Sequence, residues 1–98
     1  MSLLWQGVAE MEVSYRVFVH LVNGAGEIVA QADGEPAGWT RPTSGWAPGE
    51  YVIDAHQLLL PPTLPDEALT LRVGLYDPQS GIRLTTAAGS DAVRLTLP

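Results

Sequence analysis

Apolar and polar residues alternate along most of this chain with a period of two. In residues 13–22, "VSYRVFVHLV", one face carries Val13, Tyr15, Val17, Val19 and Leu21, because successive strand side chains point to opposite sides. The other face carries Ser14, Arg16, Phe18, His20 and Val22. "NGAG" follows at residues 23–26; it tolerates positive φ and predicts a hairpin into a returning strand over 27–33. Residues 50–61 read as a second long strand. Residues 69–77, "LTLRVGLYD", set Leu69, Leu71, Val73 and Leu75 on one side. "DPQSG" at 77–81 predicts a turn, since proline presets φ and glycine releases the chain. Further strands are expected over 3–9, 82–86 and 92–98.

About seven strands at this spacing predict an all-β, antiparallel, immunoglobulin- or fibronectin-like β-sandwich. Its expected core is Val17, Val19, Leu21, Ile28, Ile53, Leu71, Val73, Leu75 and Val93, apolar positions on faces that must meet to exclude water. The proline-rich stretch after residue 60 predicts an irregular crossover. "PDEALTLR", from residue 65, is the one candidate for a helical turn. With 98 residues the chain is sized for one domain. Residues 1–3 read as a cloning scar, and 4–98 as a single sandwich domain excised from a longer protein.

Charge narrows the function classes. The net charge is −6, with eleven acids against five bases. The bases are Arg16, Arg41, Arg72, Arg83 and Arg94; lysine is missing. Spread along the sequence, they form no basic stripe for nucleic acid or an anionic membrane. Without lysine there is no Schiff-base or P-loop chemistry, and without cysteine no disulfide or thiolate metal site. No apolar run reaches the ~20 residues of a membrane span. His20, His56 and Asp54 could approach one another as metal ligands only if their strands were neighbours; otherwise each imidazole is a hydrogen-bonded group on a sheet. No nucleophile constellation surrounds Ser44. The acids Asp33, Glu35 and Asp54 are commoner as solvated or capping groups than as catalysts. "QADGEP" reads as a surface turn, not a calcium loop. No catalytic residue, cofactor or metal is implied.

The chemistry that remains lies in the loop between the returning strand and the second long strand, "GWTRPTSGWAP", residues 38–48. One reading is carbohydrate recognition: sugar C–H faces stack on indoles, while Arg41, Asp33 and Gln31 bond hydroxyls. The other treats the tryptophans as anchors, because a loop this long needs one. The plug suits Trp46 and Trp5 better, and Trp39, flanked by Gly38 and Thr40, is the freer ring. Burial of both loop tryptophans would remove the stacking surface.

Several phrases together carry a resemblance: "YRVFVHLVNGAGEIVAQADGEP", "RPTSGWAPGE", "LPPTLP" and "LRVGLYDPQSGIRL". In these the chain resembles the carboxy-terminal β-sandwich domain of bacterial multi-spanning membrane glycosyltransferases, the dolichyl-phosphate-mannose-protein-mannosyltransferase-like proteins. The resemblance implies a non-catalytic, extracytoplasmic accessory domain, carried beside a membrane domain that performs the transfer. It could position a glycan or protein acceptor, act as a carbohydrate-binding module, or serve as a plain interaction or spacer domain. Two features depart from the pattern. Leu69 stands where a tyrosine is usual, and strand-forming sequence usually precedes the phrase that Leu3 to Trp5 match. A missing strand would open a sheet edge, through which a homodimer could pair.

Overall fold

A computed structural model of the chain describes residues 2–62 and 68–97. Of the segment proposed for a helical turn, 65–72, residues 65–67 lie outside the described residues, and Leu69–Arg72 are part of a strand instead. Among the described residues six strands form: β1 (Ser2–Gln6), β2 (Arg16–Val22), β3 (Ile28–Gly34), β4 (Tyr51–Ala55), β5 (Leu69–Tyr76) and β6 (Val93–Leu97). They make two antiparallel sheets, one ordered β3-β2-β5-β6 and the other β1-β4. The all-β antiparallel sandwich expected from the alternation is therefore present, with six strands in place of about seven.

The inner face of the larger sheet carries the core. Val17, Val19 and Leu21 of β2 lie beside Ala30 of β3 and Leu69, Leu71 and Val73 of β5. Leu3 and Trp5 pack down on them from β1, and Leu75 joins at the margin. The hairpin at Asn23 forms as anticipated. Its side chain accepts from the amides of Ala25 (3.0 Å) and Glu27 (2.9 Å), and Gly26 takes φ 84°. The turn at 77–81 also forms: Asp77 accepts from the Gln79 amide at 2.8 Å, and Gly81 sits at φ 74°.

Three expected core residues are exposed. Ile28 is displaced by a register shift next to Val22, which pairs with Ile28 while Leu21 pairs with Ala30. Val29 becomes the extra residue and packs against the core in its place. Such a bulge reverses the side-chain alternation beyond it. Ile53 is 72% exposed, because β4 turns Val52 and Asp54 inward. Val93 shares the inner side with its partner Val73, yet it is 55% exposed. The smaller sheet has two strands against four and does not reach across β6. Together with Trp5, Val73, Leu75, Leu84 and Ala92, Val93 lines an open apolar groove of about 220 Å³.

The seventh expected strand, over 82–86, is reduced to a single bridge between Arg83 and Tyr76. The chain curls away at once, since the Gly89 amide bonds to the Thr86 carbonyl and the Thr86 amide to the Ser90 carbonyl. β4 likewise stops at Ala55, where its pairing with β1 ends.

Asp54 explains why β4 presents its less apolar side to the interior. Its carboxylate is fully buried. It accepts from the Trp5 indole at 3.0 Å and the Ala37 amide at 2.8 Å, and it lies 2.6 Å from His56 Nε2. A buried carboxylate persists when donors replace the lost water. These bonds join β1, β4 and the loop after β3 at one point. Asp54→Ala leaves the Trp5 and Ala37 donors without an acceptor, each worth ~1–3 kcal/mol when buried. We expect the unfolding free energy in urea to fall by about 2–4 kcal/mol, with a smaller loss for Asp54→Asn, which keeps one acceptor oxygen.

Candidate functional site

The outer face of the four-stranded sheet is the candidate site. Alternation puts Arg16, Phe18, His20 and Val22 of β2 on that side. Register adds Asp33 opposite Phe18 and Gln31 opposite His20 on β3. On β5 it adds Tyr76, Gly74 and Arg72, opposite Arg16, Phe18 and His20 respectively. Arg94 of β6 lies opposite Arg72.

Unusually for an outer face, the β2 residues here are buried. Phe18, His20 and Val22 have almost no exposed surface. Gly74 permits this: a Cβ there would stand 2.4 Å from Phe18 Cζ. The phenyl ring therefore lies flat across β5 and under Arg83, whose guanidinium carbon is 4.2 Å from the ring centroid, a cation–π contact. Arg83 is held in turn by Asp91 at 2.9 Å, and this pairing draws the Asp91 carboxyl below its usual range. His20 lies 5.0 Å from the Phe18 ring and 3.5 Å from Asp33. Phe18, His20, Asp33, Tyr76, Gly81 and Arg83 line a cleft of about 240 Å³.

Trp39 stands at the end of this face where β2 begins and β3 ends. The Arg16 guanidinium carbon lies 5.1 Å from its ring centroid. Its indole packs so closely on Gly34 that a Cβ there would come within 2.9 Å of Nε1. Trp39 adopts φ 72° and Ala37 φ 56°, a left-handed conformation that bulky residues seldom accept. A compact turn holds both. The Trp39 amide bonds to the Glu35 carbonyl at 3.1 Å and the Arg41 amide to the Pro36 carbonyl at 3.1 Å, while Asp54 grips the Ala37 amide. The ring remains 55% exposed.

The two loop tryptophans thus divide between the two readings. Trp46 is only 4% exposed and donates from its indole to the Arg41 carbonyl at 2.9 Å. Beside it, Thr43 of the short 3-10 turn Thr43–Gly45 donates to the Val13 carbonyl and accepts from the Tyr15 amide, at 2.7 and 2.9 Å. This half of the loop is an anchor. Among the four residues proposed for recognition, Trp39, Asp33 and Gln31 gather around the outer face, and Arg41 does not join them. Its guanidinium pairs with Glu50, lowering the Glu50 pKa mainly through that hydrogen bond. His20 belongs to β2 of the larger sheet, whereas His56 lies just past the end of β4, and no group of three metal-ligating side chains occurs among the described residues.

Sequence reasoning missed Arg16, Tyr76 and Arg83 as members of this site. Arg16 was visible as the first member of the outward series on β2. Arg83 depends on a bridge that no local pattern announces. Comparison with protein-family models, with curated proteins and with solved structures finds no match to this chain. No helix among the described residues is long and apolar enough to cross a membrane.

Burial holds the His20 pKa below its ordinary 6.5; Arg83 and Arg72 act in the same direction and Asp33 opposes them. The lowered value fixes the sign of the pH effect. The unfolded chain takes up a proton at His20 near its ordinary value, whereas the folded chain resists it. Stability is therefore full above pH 6.5 and declines as pH falls below it. Urea midpoints taken across that range should drop on acidification, and the drop should shrink in His20→Asn. In the same assay Gly74→Ala should cost ~1–3 kcal/mol through overpacking against Phe18, whereas Gly45→Ala, with open space around it, should change little.

Proposed function

We propose that this chain is a non-catalytic binding module whose outer face and Trp39 hold a glycan. The observation that carries this reading is the exposed Trp39 ring, fixed in a left-handed backbone conformation and paired with Arg16, beside an aromatic and polar cleft. A sugar offers an apolar C–H face and a fringe of hydroxyls. Trp39 supplies a flat partner for the first, while Gln31, Asp33, Tyr76 and the nearby guanidinium groups supply partners for the second. Loops and sheet ends on a rigid scaffold are common places for such sites. The carboxylates on this face support holding over proton transfer, since Asp33 lies beside His20 and Asp91 is engaged by Arg83 and Arg94.

The resemblance to the carboxy-terminal domain of membrane glycosyltransferases supplies the context. In this reading the module sits on the extracytoplasmic side of a bacterial membrane and keeps an acceptor glycan near a separate transfer domain. A glycan array probed with the parent chain and with Trp39→Ala tests the binding claim. Loss of an aromatic stacking contact worth ~0.5–1.5 kcal/mol should weaken the strongest signals by up to about tenfold. Equal signals from parent and variant would remove Trp39 from the site.

A further inference from the structure

Charge on the outer face is distributed against the character of the rest of the chain. The protein carries five bases and eleven acids, yet Arg16, Arg72, Arg83 and Arg94 all come to this one face. Two carboxylates meet them: Asp91 serves both Arg83 and Arg94, and Asp33 stands beside His20. Among the described residues, the Arg16 and Arg72 side chains have no ion pair, and Nε of each is buried without a hydrogen-bond acceptor. Arg72 also stands directly across from Arg94 on β6. Like charges opposite one another in a sheet are unfavourable, and a buried donor without a partner is unfavourable too. An anion held by the guanidinium ends on this face relieves the first of these conditions.

Resting on the glycan reading above, we infer that the ligand is an anionic glycan, whose carboxylate or phosphate groups pair with Arg72 and Arg94 at one end of the outer face and with Arg16 at the other. Arginine suits this role, since its planar fork matches either kind of oxyanion. The spacing favours a chain over a single ion. Arg16 and the position opposite Arg72 are four residues apart on β2, or about 13 Å at ~3.3 Å per residue. Between them lies Phe18, and the cleft it shares with Tyr76, His20 and Arg83 can seat a ring. The acidic remainder of the surface repels such a polymer elsewhere and leaves this face as its landing place.

Calorimetric titration of the whole chain tests the inference with three probes: a short oligogalacturonide, its fully methyl-esterified counterpart, and a phosphodiester-linked mannose oligomer. At about 50 mM salt one or both acidic probes should bind at least about tenfold more tightly than the ester, and the margin should shrink at about 0.5 M salt as charges are screened. The stronger acidic probe identifies the oxyanion. Arg72→Gln should weaken acidic binding about tenfold, leave the ester unchanged and not lower the melting temperature. Arg41→Gln, whose parent side chain is occupied by Glu50, should change none of the affinities. If the ester binds as well as the acids, or Arg72→Gln acts no differently from Arg41→Gln, the charge inference is overturned and the Trp39-dependent glycan reading survives. If no oligosaccharide binds, neutral or acidic, both fall.

Discussion

A strand buried on both faces imposes a demand that a simple two-layer sandwich does not meet. β2 is such a strand: Val17, Val19 and Leu21 turn toward the smaller sheet, while Phe18, His20 and Val22 are buried on the opposite side. Water must be excluded from the second face by something other than a third sheet. Here Gly74 yields space to the Phe18 ring, and Arg83 reaches over it from the chain beyond β5. Arginine is suited to such a cover, because its stem and flat head lie on apolar surface while its charge stays near solvent. The cleft is a by-product of that arrangement, a partly roofed surface whose lining mixes rings with charges.

The smaller sheet depends on a different constraint. A carboxylate in the interior is tolerable only where donors converge on it, and three groups converge on Asp54. That requirement outweighs the hydropathy of β4, leaving Tyr51 and Ile53 exposed. It also couples the loop to the sandwich: the Ala37 amide is held two residues before Trp39. Interior polarity and the pose of an exposed ring thus share one anchor.

Much of the fold was legible in the alternation of residues 13–22 and 69–77, because one apolar face of a strand needs only its own sequence to be recognised. Turns at Asn23 and Asp77 were legible for the same local reason. Ile28, Ile53 and Val93 were misassigned because each is decided by a partner: a bulge against β2, a buried carboxylate, and the width of the opposing layer. The candidate site divides along the same line. Asp33, Gln31 and Trp39 could be nominated from loop and strand chemistry. The removal of Arg41 to Glu50 and the arrival of Arg83 over Phe18 are long-range events, invisible to any window of the sequence.

The pairing of the smaller sheet has a bearing on the order in which the molecule assembles. Ser2 meets Ala55 and Gln6 meets Tyr51, so β1 has no partner until β4, three strands later in the sequence, is in place. The β2–β3 hairpin, closed by five residues from Asn23 to Glu27, needs no such delay. Loop closure disfavours distant contacts, and folding slows as they come to dominate. The hairpin is thus the natural nucleus, with β1 docking among the last elements. While it waits, Leu3, Leu4 and Trp5 form a greasy extended segment open to chaperones and to neighbouring nascent chains.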